Sequence, residues 1–439
     1  MKTIAYHTLG CKVNQYDTQA MEELLSAAGY TTVPFPGKAD IYLINTCTVT
    51  GTGDKKSLQL ARRLKRECPG SLVVLCGCLA QLKGKELLQA GADLVVGTQY
   101  RSRIVSLLDD VIRSGEPCCA VEPLAENTVY EPLYVTRHAE HTRAVMKIQE
   151  GCRNRCTYCI IPEVRGPVRS RPLESIAAEA SRLAAAGYRE IVLAGIHLSS
   201  YGKDFDPKLT LLDVLDVLEH TEGILRIRLG SLEPRIATES FASSLKGFSK
   251  LCPQFHLALQ SGSDSVLRRM KRQYNASVYL DAVANLRAVF PLAAFTTDIL
   301  TGFPGETESE FEETAGMIRK VGFARIHVFP YSPRPGTPAA AMDGQLTEAE
   351  KQSRARKLIA LGKEVSHIYA RQWVGKTVAV LPEETVGGCW IGYTPEYLRV
   401  RLDPRSVCTA GTPVETLVCR FTPECLEGVA IDSSNGGKG

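Results

Sequence analysis

No stretch of this 439-residue chain comes near the roughly 20 consecutive apolar residues that a membrane-spanning helix requires, so no membrane partner is expected. Charge of one sign is also lacking: 52 Lys and Arg stand against 48 Asp and Glu, a net +4. So even a balance neither demands a nucleic-acid partner nor excludes one. Met1–Cys11 ends in a small residue and a cysteine, as lipoprotein leaders do. Its apolar core is short and broken by His7, however, so it does not read as a leader. Cysteine, by contrast, is plentiful. There are 15, an odd number dispersed through a long chain. That argues for a reducing, cytoplasmic setting and metal chemistry rather than a disulfide frame. Hydrophobic residues at 44% and charged residues at 23% suit a soluble globular protein of two or three domains.

The densest thiol run is Cys152-Arg-Asn-Arg-Cys156-Thr-Tyr-Cys159. Structural zinc is usually closed by four ligands in paired knuckles. Three thiols on one tight loop suit instead a cubane iron–sulfur cluster whose fourth iron has no protein ligand and is open to a small molecule. The spacing resembles that of the radical S-adenosylmethionine (SAM) enzymes, in which the open iron holds SAM and one electron cleaves it to a 5′-deoxyadenosyl radical.

Residues 1–140 alternate strands and helices, with strands expected at 3–9, 41–45, 72–76 and 94–96 and helices at 18–28 and 57–67. Such a βαβ series predicts an open parallel sheet. Cys11, Cys47 and Cys78 each follow a strand of it. Strand carboxyl ends line one edge of such a sheet, so the three thiols can meet there and form a second cluster site. Cys76 competes with Cys78 but lies within the apolar strand, so Cys78 is preferred.

From 141 to 372 a second strand–helix series has strands at 145–149, 190–194, 225–229, 254–260, 295–300 and 325–331. Six units are fewer than a closed eightfold barrel contains and predict a partial (β/α)6 barrel, with its chemistry at the strands' carboxyl ends. The cysteine loop follows the first strand. Gly195-Ile-His197, Ser231-Leu-Glu233, Gln260-Ser-Gly and Asp298 follow or end later ones. Glycines there admit an adenosyl group closely, and Ser231, Glu233 and Gln260 offer polar contacts. His197 is a base, a supporting group or an ordinary loop histidine. Five arginines lie between Gly151 and Leu173 against one acid, Glu163. They suit SAM's carboxylate, a reduced cluster or an RNA backbone.

A proline-rich junction at 331–338 and a charged helix at 347–371 lead to short alternating segments over 373–439, expected to form a small five-stranded barrel. Modules of that kind often grip nucleic acid, yet from residue 371 onward seven Lys/Arg face eight Asp/Glu. Basic patches occur elsewhere: Lys55-Lys56 with Arg62, Arg63, Lys65 and Arg66; Arg268 to Arg272; and Lys351 to Lys357. Residues 433–439 are expected to be disordered.

Taken together, Leu9-Gly-Cys11-Lys-Val-Asn14, Asn45-Thr-Cys47, Gly77-Cys78-Leu-Ala-Gln81, the Cys152/Cys156/Cys159 triad, Arg165-Gly166 with Ser170-Arg171-Pro172, and Tyr331-Ser-Pro-Arg334-Pro-Gly-Thr337 resemble the radical SAM methylthiotransferases. The resemblance spans essentially the whole chain. It implies an N-terminal cluster domain, a radical SAM core and a C-terminal RNA-binding TRAM domain. It further implies two 4Fe-4S clusters, one on Cys152, Cys156 and Cys159 and an auxiliary one on Cys11, Cys47 and Cys78, with SAM as both radical source and methyl donor. Candidate SAM contacts are Tyr158, Gly195, His197, Ser231, Glu233, Gln260 and Asp298. Expected partners are a tRNA anticodon stem-loop and an electron donor such as flavodoxin or ferredoxin. Within the family, Leu-Gly-Cys-Lys-Val-Asn-Gln and Gly-Ile-His-Leu-Ser-Ser-Tyr-Gly resemble the branch acting on N6-threonylcarbamoyladenosine. Other branches act on N6-isopentenyladenosine or a ribosomal-protein aspartate. A non-enzymatic iron–sulfur RNA-binding protein is the alternative from another class.

Overall fold

The computed structural model describes residues 2–126, 128–136, 142–406 and 408–431. The expected disordered tail at 433–439 lies outside these residues. Six parallel strands form the first sheet: β1 (Thr3–Thr8), β2 (Thr31–Thr32), β3 (Ile41–Thr46), β4 (Leu72–Gly77), β5 (Leu94–Val96) and β6 (Cys118–Ala120). Their order is β2-β1-β3-β4-β5-β6. Residues 41–46 of β3 are buried throughout, as in a strand covered on both faces. Ile41, Leu43 and Val74 pack into one apolar cluster, and Tyr42, Ile44 and Val73 into another. The helices α1 (Lys12–Ala27) and α2 (Gly51–Glu67) follow β1 and β3, and both begin earlier than apolar periodicity suggests. Thr50 caps α2 by accepting a hydrogen bond from the Gly53 amide.

The middle of the chain builds two four-stranded sheets that together form the partial barrel. One runs β10-β9-β7-β8 and the other β11-β12-β13-β14. In the first, β7 (Arg143–Glu150), β9 (Glu190–Gly195) and β10 (Arg226–Arg228) are parallel, while the short β8 (Arg169–Ser170) runs antiparallel to β7. In the second, β11 (Ser231–Leu232), β12 (Gln254–Leu257), β13 (Ala294–Thr301) and β14 (Arg325–Pro330) are all parallel. The third strand expected from sequence, 225–229, is thus β10, and a further short strand, β11, follows it and opens the second sheet. One apolar core, including Met146, Leu193, Phe255 and Phe295, joins these strands to their helices.

After the helix Glu348–Arg371, five strands close a barrel in the order β15-β16-β17-β19-β18. They are β15 (Thr377–Val386), β16 (Cys389–Tyr393), β17 (Arg399–Leu402), β18 (Val414–Phe421) and β19 (Leu426–Ala430). Closure leaves no free sheet edge. This barrel docks on the starts of β7 and β10. Arg226 donates to the Ala379 carbonyl (2.7 Å), Arg228 to that of Pro395 (2.7 Å), and Arg143 pairs with Glu383 (2.7 Å) while lying over the Tyr393 ring. Among the described residues no helix is long and apolar enough to cross a membrane.

Candidate active site: two cysteine trios

Cys11, Cys47 and Cys78 leave β1, β3 and β4, which are adjacent in the sheet. Gly10, at φ +106°, lets the first turn cross the second: an added Cβ would stand 2.9 Å from the Cys47 Cβ and 3.1 Å from its Sγ. Burial pushes the Cys78 thiol up to about 11, and the neighbouring Cys11 and Cys47 add to the rise while Arg165 opposes it. Cys47 is raised by burial too, with Cys11 adding. Cys76 instead lies in the apolar core with Leu43 and Val74, its thiol 3.6 Å from the Ile44 carbonyl.

The second trio is local. Cys152 follows β7, and its amide donates to the Gly166 carbonyl (3.0 Å). Thr157 is tied to Met270 and Ala339 through its backbone and to Arg269 through its hydroxyl. Gly151, at φ +73°, has no room for a side chain: a Cβ would fall 1.8 Å from the Pro167 carbonyl oxygen. Burial pushes Cys159 up to about 12, with Cys156 and Cys152 adding.

Each trio carries one guanidinium donor on one sulfur. Arg165 Nε donates to Cys78 Sγ at 3.2 Å, and Arg272 Nη1 donates to Cys156 Sγ at 3.1 Å. Arg272 is held by Tyr274 (3.1 Å). Arg165 is fully buried and donates also to Glu150 (2.8 Å), Asp17 (3.2 Å) and Asn14. Burial opposes ionisation of Asp17, yet Arg101, Lys147 and Arg165 hold its carboxyl below the usual range. Asp17 and Lys147 also pair directly. Arg165 therefore crosses from the short helix Ile161–Arg165, after the second trio, to a ligand candidate of the first. Ile160 and Val164 make the same crossing by packing against Cys78. Arg334 closes the other side: it pairs with Asp54 on α2 and donates to Thr48 (2.7 Å), next to Cys47.

Of the candidate SAM contacts, Tyr158 lies within the second trio's own run, and the structure draws Gly195, His197 and Glu233 toward it. Gly195 ends β9 beside Gln149, where a Cβ would meet the Gln149 Cβ at 3.0 Å. The His197 amide donates to Gln149 Oε1 (2.7 Å). Its ring stands 3.2 Å from Asn154 Nδ2 inside the cysteine loop and 3.5 Å from Glu233. Burial alone would raise Glu233, but hydrogen bonds from His197 and Arg235 pull it down to about 2. Ser231 is exposed on β11. Gln260 sits in the left-handed region at φ +64°, its amide donating to the Asp298 carbonyl (2.9 Å). The Asp298 carboxylate lies 3.4 Å from His256 on β12, and Tyr158, between Cys156 and Cys159, packs edge-on against Phe303. Sequence reasoning missed Arg272, Gln149, Asn154 and the buried Asp17–Glu150 network. The signals available were polar residues interrupting β7 and the start of α1, the basic patch that holds Arg272, and the place of Asn154 inside the cysteine run.

Among the described residues no three His, Cys, Asp or Glu side chains are set to hold a single metal ion. Two sets of soft thiol donors, each with an N–H donor aimed at a sulfur, fit iron–sulfur clusters in ligand type and outer-sphere support.

Residues 3–97 match the uncharacterized protein family UPF0004, and residues 146–318 match the radical SAM superfamily. The threonylcarbamoyladenosine tRNA methylthiotransferase MtaB of Bacillus subtilis is 43% identical, over 91% of this chain and 90% of its own length. The chain belongs to the radical SAM methylthiotransferases. The MtaB protein of Thermotoga maritima is 38% identical over 91% of each chain. The tRNA-2-methylthio-N(6)-dimethylallyladenosine synthase of Pelotomaculum thermopropionicum is 36% identical over 87% of each. Among solved structures, the radical SAM methyltransferase TsrM of Kitasatospora setae shares the fold. Its TM-score is 0.56 at 14% identity, covering 77% of this chain and 74% of its own. As a radical SAM methylthiotransferase the protein is an enzyme that uses iron–sulfur clusters and SAM.

Proposed function

We propose that this methylthiotransferase converts N6-threonylcarbamoyladenosine, immediately 3′ of the tRNA anticodon, to its 2-methylthio derivative. The substrate reading rests on the 43% identity to the B. subtilis enzyme of that name across nearly the whole chain. The division of labour rests on the two thiol trios, which lie on separate elements and are joined by Arg165. In this reading Cys152, Cys156 and Cys159 hold the SAM-binding 4Fe-4S cluster and Cys11, Cys47 and Cys78 hold the auxiliary one. The bound groups supply one-electron SAM cleavage, hydrogen abstraction from an unactivated carbon, and the sulfur and methyl that replace the hydrogen. The chain's own task is to hold both sites against one substrate carbon and to exclude water. Arg165 and Arg272 orient a thiolate at each site and offset its charge. Gln149 and Asn154 fix His197, which with Glu233 forms a polar wall beside the second trio, where SAM's polar end would lie. Domain limits near 140 and 372, a flavodoxin or ferredoxin as reductant and a cytoplasmic setting belong to the same reading.

The second reading is action on N6-dimethylallyladenosine, motivated by relatives at 36–38% identity. Mass spectrometry of tRNA nucleosides from cells with and without the gene separates them. Loss of 2-methylthio-threonylcarbamoyladenosine alone supports the first reading. Loss of the dimethylallyl derivative instead overturns it.

A further inference from the structure

Three basic patches stand out in the sequence, and the fold treats them differently. In the second, Arg269 is bound to Glu310 (2.8 Å) and Arg272 to Cys156, which leaves Arg268 and Lys271 as its exposed cations. In the third, Lys351 is buried against the Tyr331 carbonyl and Glu348, Arg354 pairs with Glu306 (2.7 Å), and Lys357 with Glu308 (3.4 Å). The first patch, on α2, keeps its charge outward. Ser57, Ala61 and Leu64 form the buried side of α2, while Lys55, Lys56, Arg62, Arg63 and Arg66 are all exposed. Among the described residues Lys55, Lys56 and Arg62 have no ion pair. Arg63 and Arg66 share one exposed carboxylate, Glu67, at 3.8 and 3.4 Å. The helix's other acid, Asp54, is taken by Arg334, and its other base, Lys65, by Asp93 (2.6 Å). Five outward cations against one carboxylate is a strong local surplus in a chain whose net charge is only +4.

Position gives the surplus a direction. Lys55 and Arg62 are seven residues apart, as are Lys56 and Arg63, so both pairs recur on one face over about 12 Å of helix. The helix begins at Gly51, four residues after Cys47. Its basic face therefore starts beside the first thiol trio, where the modified base has to arrive. The C-terminal barrel shows no such surplus: Arg401 and Arg420 both pair with Glu427, and Arg405 with Asp403.

We infer that the exposed face of α2 binds the phosphate backbone of the RNA flanking the modified nucleotide. The inference rests on the tRNA reading above. Phosphate contacts of this kind position the nucleic acid without reading its bases. They release counterions, so they carry a salt dependence that counts them.

The test compares holoenzyme with the exposed-site variant K55Q/K56Q/R62Q and, as a control surface, R268Q/K271Q. Binding of an anticodon stem-loop RNA is followed by fluorescence anisotropy between about 50 and 200 mM salt. The triple variant should bind at least about tenfold more weakly at the low end, and its log–log salt slope should flatten by about 2 to 3. SAM cleavage driven by dithionite should be unchanged, and the control should match wild type. Wild-type binding with an unaltered slope in the triple variant overturns the inference. So does an unaltered slope combined with slower reduction by an acidic flavoprotein, which would make α2 a protein-docking face. Wild-type enzyme that neither binds nor methylthiolates the RNA overturns the tRNA reading itself.

Discussion

The two thiol trios are assembled in opposite ways. Cys152, Cys156 and Cys159 lie within eight residues and need only one loop, pinned by Gly151 and by contacts to Met270 and Ala339. Cys11, Cys47 and Cys78 are separated by 36 and 31 residues and meet only because β1, β3 and β4 are neighbours. The supporting arginines differ likewise. Arg272 is held by a tyrosine two residues on, whereas Arg165 is held by Asn14, Asp17 and Glu150 from both units. A local site needs only its own loop, while a convergent site depends on the pairing of the strands that carry it.

Removing each trio in turn should break this comparison most sharply. Replacing Cys152, Cys156 and Cys159 together with alanine should abolish SAM cleavage yet leave iron on the first trio. The reciprocal replacement of Cys11, Cys47 and Cys78 should retain SAM cleavage and lose sulfur insertion. Iron analysis with 5′-deoxyadenosine quantitation checks both, and SAM cleavage surviving in the first variant would refute the assignment.

The arginines sharpen it next. Arg165→Gln leaves Asp17 and Glu150 with Arg101 and Lys147 alone, a loss smaller than the roughly 3–5 kcal/mol of a buried charge left wholly unpaired. It should therefore lower the denaturation midpoint and weaken iron retention by the first trio. Arg272→Gln should perturb only the spectroscopic signature of the second. Equal effects of the two variants on both signals would argue against separate roles.

The glycines should then rank in order. Gly151→Ala meets backbone at 1.8 Å and must displace the cysteine loop, whereas Gly10→Ala meets the Cys47 side chain at 2.9 Å. Each also forces alanine to positive φ, at about 1–2 kcal/mol. Thermal melts should show the larger drop for Gly151→Ala.

The smallest effect concerns pH. Because Glu233 is depressed to about 2, its stabilising contribution is present above the ordinary carboxylate range and fades as pH falls toward 2. Glu233→Gln should differ most from wild type in urea midpoint near neutral pH, and the gap should narrow on acidification. A gap that widens in acid would show that the carboxylate is not held by His197 and Arg235.

Much of this was legible beforehand, for identifiable reasons. A C-x3-C-x2-C run is complete within one loop, so its chemistry can be read without a fold. The βαβ alternation placed Cys11, Cys47 and Cys78 at strand ends, and parallel-sheet geometry brings such ends to one edge. The helix starts were less legible. Asn14 and Asp17 look like loop residues but are buried in α1 by the charge network, and Gly51 and Gly53 obscure the first turn of α2.

The sequence alone thus determined the class of chemistry, the two thiol sets and the three-part architecture, because those depend on residue type, local spacing and hydrophobic period. Only the tertiary structure decided that Arg165 donates to the distant Cys78 rather than to the trio just before it. It likewise decided how much of each basic patch is spent internally and that α2 keeps five of its cations outward. Those outcomes depend on which oppositely charged groups the packed core brings within a few ångströms, and neither composition nor periodicity encodes that distance.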